Sequence, residues 1–221
     1  MEPAQHFPAG WHAVAWIALG AAVAWACARA DWRRLRAGAQ SHAFFGAVVG
    51  VALLWTIGSG VGPVRFHLLG ATLFYLMFGL PLALVGMALA AVAATVATDH
   101  GWAAVAERVL LAGVLPVLVS HVVRRAAEAR LPANFFVYVF VIGFLGGGLA
   151  MLVTVAAVAA SLALAAAAAT GPQSGAWPAL APLLAFAEAT LSGMLITLFV
   201  VYKPEWVGTF DDARYLRRRQ P

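Results

Sequence analysis

The residue of this sequence that is best suited to chemistry is His67. It follows the breaker-rich segment 58–63 and stands at the start of a short apolar run that contains Gly70. A loop of this kind followed by a short helix brings an imidazole into the protein interior, and neutral imidazole is a ligand for nickel, copper, cobalt and zinc. His67 is therefore either a metal ligand or a side chain that hydrogen-bonds at the start of a helix.

Two further histidines are candidate donors for the same site. His6 and His12 lie at the start of the first apolar run, on the side of the membrane where we also expect His67. These histidines either converge on one metal or are interfacial polar residues beside Trp11 and Trp16, which form an aromatic belt. The residues alone leave both interpretations open.

Few ionisable residues lie inside the long apolar runs, and each is a candidate for function because a charge in lipid is costly. They are His67, Glu107, Arg108, His121 and Glu188. Glu188, Ser192 and Thr197 share part of one helical face in the last run, because residues three to four apart lie on one side of a helix. That face is either an interior hydrogen-bonded seam or part of a substrate path.

The composition of the chain sets the environment of these residues. The sequence has 221 residues, of which 63% are hydrophobic and 10% charged, and its mean hydropathy is +0.89. Soluble domains carry about 25% charged residues, so a soluble enzyme, a nucleic-acid-binding protein and a disordered chain are excluded. Cys27 is the single cysteine, which excludes a disulfide framework. We predict an all-α polytopic membrane bundle that forms a single transmembrane domain over 1–221.

The apolar runs predict about seven transmembrane helices, with six as the alternative count. Their expected bounds are 11–28, 43–58, 66–79, 82–98, 102–123, 134–170 and 181–202. The third span is short, and a re-entrant segment at that place is tolerated only if it is buried against protein. Arginine-rich loops and the basic tail 203–221 predict an outer N-terminus and a cytoplasmic C-terminus.

Small residues in two of the runs predict close helix contacts. Ala18, Ala22 and Ala26 recur at four-residue spacing in the first run, and three glycines occupy 146–148 inside the sixth. The alanine stripe packs either within the molecule or against a partner membrane subunit, since small side chains let helices approach closely in lipid. The glycines mark either a kink or a close helix contact.

No catalytic motif accompanies these candidates. The sequence contains no Walker A motif, no His-Glu-x-x-His and no Gly-x-Ser-x-Gly. We therefore expect that the chain is not an enzyme. If ATP drives transport, a separate partner subunit must hydrolyse it.

Three segments of the sequence, 67–72, 131–140 and 192–197, carry a resemblance to a known family. In this order they resemble the cobalt/nickel-type permease of energy-coupling factor ABC transporters, the CbiM/NikM family, over most of the chain. The ending 200–212 resembles a proteobacterial branch of that family. The resemblance implies a membrane subunit that binds Co²⁺ or Ni²⁺ as transported substrate and holds no permanent cofactor.

The resemblance also implies partners, a location and a ligand set. Members of this family work in the bacterial inner membrane with a transmembrane coupling subunit and ATPase subunits, and the cobalt transporters are linked to cobalamin biosynthesis. The family holds its metal with the N-terminal amine, the backbone nitrogen and imidazole of the second residue, and a second histidine. His67 matches that second histidine, and His6 matches the first imidazole.

The start of the chain departs from the family pattern. The family begins Met-His, whereas this chain begins Met1-Glu2-Pro3 and places four residues before Gln5 and His6. The amine-plus-imidazole chelate cannot form as in the family unless processing removes residues 1–4. The alternative function is therefore a diverged membrane scaffold or assembly protein that keeps the fold and has lost metal binding.

Overall fold

The computed structural model describes residues 9–36, 39–57, 59–61, 64–98, 102, 105–168 and 177–215. Its α-helices are α1 (Ala9–Arg29), α2 (Trp32–Arg36), α3 (Ala39–Thr56), α4 (Ala71–Phe78), α5 (Leu80–Thr98), α6 (Val105–Val109), α7 (Leu115–Arg130), α8 (Gly146–Ala168), α9 (Ala181–Tyr202) and α10 (Asp212–Tyr215). The π-helical segments are Leu110–Val114 and Val137–Leu145, and 3-10 turns cover Trp177–Leu180 and Pro204–Trp206. The strands β1 (Ser59–Val61) and β2 (Val64–Phe66) pair antiparallel, with Ser59 opposite Phe66.

Five helical stretches in the described part of the chain are long and apolar enough to cross a membrane. They are Gly10–Arg29, Leu80–Thr98, Val105–Arg130, Val137–Leu164 and Ala181–Tyr202, and Gln40–Thr56 is a shorter apolar helix. Helices suit lipid because they satisfy their own backbone hydrogen bonds, which the bilayer core cannot do. The predicted all-α polytopic bundle is therefore confirmed.

The third predicted span, 66–79, is not a full transmembrane helix. The chain forms the β1–β2 hairpin, then the loop 67–70, and only then the eight-residue helix α4. At 1.5 Å per residue α4 is about 12 Å long, whereas the bilayer core is about 30 Å thick. Gly70 (φ +64°) and Gly79 (φ +78°) flank the helix with backbone conformations that L-residues rarely adopt, and these conformations end it at both sides.

Helix α4 lies in the centre of the bundle. Seven of its eight residues are buried, and it packs against α5, α7, α8 and α9. Gly86 of α5 makes room for this packing, because a Cβ at that position would overlap the ring of Phe74. The short helix therefore meets the condition under which irregular backbone is tolerated at membrane depth, namely burial in protein.

The glycines of 146–148 produce a close contact between α8 and α9. A Cβ at Gly147 would lie 3.0 Å from Ser192 Cβ, and a Cβ at Gly148 would lie 3.3 Å from the carbonyl oxygen of Ala185. Larger side chains at these two positions would push the helices apart. The close-contact interpretation of these glycines is therefore confirmed.

The chain after α9 folds back onto the carboxyl end of α4. The N–H of Gly208 donates to the carbonyl of Met77 at 2.8 Å, and the N–H of Thr209 donates to that of Leu76 at 3.2 Å. These carbonyls have no partner within α4 because the helix ends at Phe78. Of the predicted tail 203–221, the part 203–215 is thus packed on the bundle, and 216–221 lies outside the described residues.

Candidate functional site

The loop 67–70 presents the imidazole of His67 in a defined tautomer. His67 is 9% exposed, and its Nδ1 lies 3.2 Å from the carbonyl oxygen of Leu68. A carbonyl oxygen only accepts, so Nδ1 donates, and in the neutral ring Nε2 then carries the lone pair. A histidine that ligates a metal in proteins commonly has its other ring nitrogen bound in this way.

The surroundings of His67 keep its ring uncharged. Burial lowers the pKa of the His67 imidazole, which lies in a loop outside the spanning helices, to about 3, because removal from water penalises the charged form. The ring also packs on the indole of Trp55, with the ring centroids 5.1 Å apart. A neutral, oriented imidazole does not repel a cation and offers it a nitrogen ligand.

Glu188 of α9, which is distant in sequence, binds the backbone of the same loop. Its side chain is fully buried. Its Oε2 accepts the N–H of Leu69 at 2.7 Å, and its Oε1 accepts the N–H of Gly70 at 2.9 Å. The two donors face one carboxylate because Gly70 takes a left-handed conformation at the start of α4. The structure therefore places Glu188 at the loop that carries His67. Glu188 bonds to the backbone of this loop and not to the imidazole.

The other members of the predicted polar face have different neighbours. Ser192 is fully buried and faces Gly147 of α8. Thr197 donates to the carbonyl of Gly193 within its own helix at 2.6 Å. Within the described residues, neither side chain hydrogen-bonds to the loop 67–70. The part of the face that reaches the loop is therefore Glu188 alone.

His12 is engaged by a carboxylate in the described structure. Its Nδ1 lies 2.6 Å from Glu107 Oε1, and Glu107 is 3% exposed. This pair joins α1 to α6. The neighbouring Arg108 is also buried, and its Nη1 lies 3.4 Å from Thr95 Oγ1. The two charges of α6 therefore pack inside the bundle.

The remaining metal donors are not gathered in the part of the chain that is described. Among those residues, no group of three or more His, Cys, Asp or Glu side chains is placed to hold a metal ion. The predicted donor His6 lies outside the described residues, as do Glu2 and Pro3.

The three alanines of α1 that were predicted to dock a partner differ in their exposure. Ala18 is exposed and Ala22 is half-buried, whereas Ala26 is fully buried. Because α1 packs against α5 and α6, the Ala26 end of the stripe serves contacts within the chain. The Ala18 end lies on the exposed surface of α1.

Sequence reasoning missed Trp55, which holds the loop as well as contacting His67. The indole Nε1–H of Trp55 donates to the carbonyl of Leu69 at 3.2 Å. A tryptophan near the end of an apolar run is a weak signal, but a buried indole N–H needs an acceptor. Here that acceptor lies in the loop 67–70, 14 positions further along the chain.

Comparison with known proteins identifies the family. The model of the CbiM family, described as the cobalt uptake substrate-specific transmembrane region, matches residues 3–206. The chain belongs to the CbiM family. No curated protein and no solved structure matches it. The resemblance inferred from 67–72, 131–140 and 192–197 is thereby confirmed at the level of the family.

Membership of the CbiM family fixes the broad role of the chain. This family is a membrane component of cobalt uptake and not a family of enzymes. Together with the apolar helices, it makes this chain a multi-pass membrane protein, for which the bacterial inner membrane is the expected location. Cobalt is accordingly the substrate that the family suggests.

Proposed function

We propose that this CbiM-family chain is the substrate-binding subunit of an energy-coupling factor ABC transporter that takes up Co²⁺ or Ni²⁺. The observation that supports this proposal is the state of His67. Its Nδ1 is bound to the carbonyl of Leu68, its ring is neutral, and its Nε2 lone pair is thereby left for a metal. Both ions accept imidazole nitrogen as a ligand.

Capture in this proposal uses His67 and the segment that precedes α1. His67 Nε2 supplies one nitrogen, and His6 supplies a second imidazole from the segment 1–8. A nitrogen set of this kind favours cobalt and nickel over hard cations such as Mg²⁺, which prefer oxygen ligands. Since metal binding requires deprotonated ligands, the neutral state of His67 at physiological pH supports capture.

Release to the cytoplasm requires energy that this chain does not generate. We assign ATP hydrolysis to separate ATPase subunits, coupled through a transmembrane partner that contacts the exposed surface of α1 near Ala18. On α9, Glu188 and Ser192 are buried and Thr197 is half-buried. We assign this face as the candidate substrate path from His67. Cobalt taken up in this way would supply cobalamin biosynthesis.

The proposal is tested by metal titration of the purified protein in detergent. Wild type, His67→Ala and His6→Ala are titrated with Co²⁺ and Ni²⁺ by calorimetry, after mass spectrometry of the mature N-terminus. His121→Ala is the matched control, because its imidazole bonds instead to Tyr75 at 3.0 Å. We expect His67→Ala to lose more affinity than the about 10- to 100-fold typical of a removed outer-shell partner.

The two other variants show whether a loss of affinity is specific to the proposed metal site. His121→Ala is expected to bind as wild type, and a parallel loss in His6→Ala would show that the unusual start still supplies half of the site. A folded wild type that binds neither ion contradicts the proposal. It would favour the diverged membrane scaffold as the function of this chain.

A further inference from the structure

The loop that carries His67 is held by two helices that are distant in sequence. Trp55 of α3 donates to the carbonyl of Leu69 at 3.2 Å. Glu188, 119 positions after Leu69, accepts the N–H of the same residue at 2.7 Å. Side chains therefore bind both the backbone N–H and the backbone carbonyl of Leu69. Leu69 directly follows Leu68, whose carbonyl accepts from His67.

One peptide group connects Glu188 to the imidazole. The carbonyl of Leu68 and the N–H of Leu69 belong to the same planar peptide unit. Glu188 Oε2 accepts from that N–H at 2.7 Å, and the carbonyl accepts from Nδ1 of His67 at 3.2 Å. The carboxylate therefore fixes the orientation of the plane that sets the ring of His67.

The same chain of hydrogen bonds acts on the electron density of the ring. A negative charge on the N–H side of a peptide polarises its carbonyl, and hydrogen bonds in sequence strengthen one another. A stronger acceptor at Nδ1–H makes the opposite nitrogen a better donor to a metal, as carboxylate–histidine pairs do at metal sites. Here a peptide group stands between the carboxylate and the imidazole.

We propose that Glu188 is a positioning residue for the His67 metal site, acting through the Leu68–Leu69 peptide without touching the metal. This inference rests on the proposed function, since it assigns a second residue to the same capture site. Glu188 sets the affinity for the metal and the geometry of its coordination. Its carboxylate also stabilises the start of α4, where negative charge is favourable.

The test compares two buried glutamates of spanning helices. Glu188→Gln keeps the size of the side chain but presents an NH₂ group to one of the two N–H donors of the loop. Glu107→Gln makes the same chemical change at a residue whose carboxylate is bound to His12 instead. Folding of both variants is verified by size-exclusion chromatography and thermal unfolding in detergent.

The measurements are the Co²⁺ affinity and the visible absorption spectrum of bound Co²⁺, which reports the coordination geometry. We expect Glu188→Gln to weaken Co²⁺ binding about 10- to 100-fold and to shift the spectrum, whereas Glu107→Gln keeps both. Glu188→Asp retains the carboxylate and should recover part of the affinity. Hydrogen exchange of the amides in 67–72, measured without metal, should rise in Glu188→Gln alone.

The possible outcomes distinguish failure of the positioning role from failure of the proposed function. Unchanged affinity and spectrum in Glu188→Gln, beside loss of binding in His67→Ala, overturn the positioning role and leave the proposed function standing. Equal losses in Glu188→Gln and Glu107→Gln also overturn it, since they indicate a general effect on the bundle. A folded wild type that binds no Co²⁺ overturns both claims. If Glu188→Gln does not fold, the Asp variant and its spectrum decide.

Discussion

The two ends of α4 are both held by α9 or by the chain that follows it, but by different groups. At the amino end, the side chain of Glu188 accepts the N–H groups of Leu69 and Gly70. At the carboxyl end, the backbone N–H groups of Gly208 and Thr209 donate to carbonyls of the helix, and the hydroxyl of Thr209 adds one further bond to the carbonyl of Leu76. Each end also has a glycine with positive φ.

Because of this difference, single substitutions should have different consequences at the two ends of α4. A bond made by one side chain is lost with one substitution, and the bond at the amino end lies next to the candidate ligand His67. Bonds between backbone groups survive most substitutions, and those at the carboxyl end carry no candidate ligand. We therefore expect substitutions at the amino end to alter metal binding, and substitutions at the carboxyl end to alter stability alone.

The largest expected effect on stability comes from the glycine at the carboxyl end. Gly79 has φ +78° and ψ 175°, a region that is essentially restricted to glycine, so Gly79→Ala should cost about 3 kcal/mol of unfolding free energy. Gly70→Ala is its counterpart. Gly70 has φ +64°, and alanine in this left-handed region costs about 1–2 kcal/mol.

Gly70→Ala and Gly79→Ala also test whether only the amino end of α4 affects metal binding. A Cβ at Gly70 would lie 3.1 Å from Val51 Cγ2, so Gly70→Ala should displace the loop and weaken Co²⁺ binding. Gly79→Ala should leave the affinity of the folded protein unchanged. Unfolding in SDS titrations gives the stability, and Co²⁺ titration gives the affinity. The reverse pattern would show that the two ends are not distinct.

A smaller loss of stability is expected from Thr209→Val at the carboxyl end. Thr209 Oγ1 donates to the carbonyl of Leu76 at 2.6 Å and accepts from the buried hydroxyl of Tyr138 at 2.7 Å. Valine leaves that hydroxyl unpaired, which should cost about 2 kcal/mol. Thr190→Val is the control, since Thr190 is exposed and bonds within its own helix. A change in Co²⁺ affinity with Thr209→Val would argue against the comparison.

Trp55→Phe is the milder change at the amino end. Phenylalanine retains an aromatic ring against His67 but lacks the N–H that donates to Leu69. Loss of that hydrogen bond should cost about 1 kcal/mol and should weaken Co²⁺ binding less than Glu188→Gln does. Trp16→Phe, at a half-exposed position of α1, is the matched control for SDS unfolding and Co²⁺ titration.

The smallest effect is expected from Arg214→Gln. Arg214 lies 3.7 Å from Glu128, and its side chain is 42% exposed. Glu128 is also bound by Arg124 at 2.8 Å and by the hydroxyl of Tyr215 at 3.1 Å. Because Arg214 is partly exposed to water, this pair contributes less than about 1 kcal/mol. An SDS-unfolding loss larger than that of Thr209→Val would contradict this ranking of the two substitutions.

Much of the fold could be predicted from the sequence because lipid imposes a local rule. A helix needs about 20 apolar residues to cross the bilayer, so the long helices α1, α5, α8 and α9 follow from composition alone. The segment 66–79 was apolar enough for a short span, but it forms a strand end, a loop and α4. Hydropathy does not distinguish a helix that faces lipid from a shorter one that protein buries.

The candidate site was predictable in its residue types and not in its contacts. Breaker residues before His67 indicated a loop, and a glutamate in an apolar run indicated that Glu188 has a partner. The partner itself is the backbone of Leu69 and Gly70, and backbone groups leave no mark in a sequence. For the same reason the bonds from Gly208 and Thr209 to α4 could not be foreseen.

By itself, the sequence determined the membrane environment, the all-α architecture, the family and the identity of the candidate ligand His67, since each follows from local composition or from short motifs. Only the tertiary structure decided that Glu188 and Trp55 fix the loop of His67, that Glu107 engages His12, and that α4 is held at both ends. These contacts join residues up to 133 positions apart. They depend on how helices pack, and packing is a property of the whole bundle.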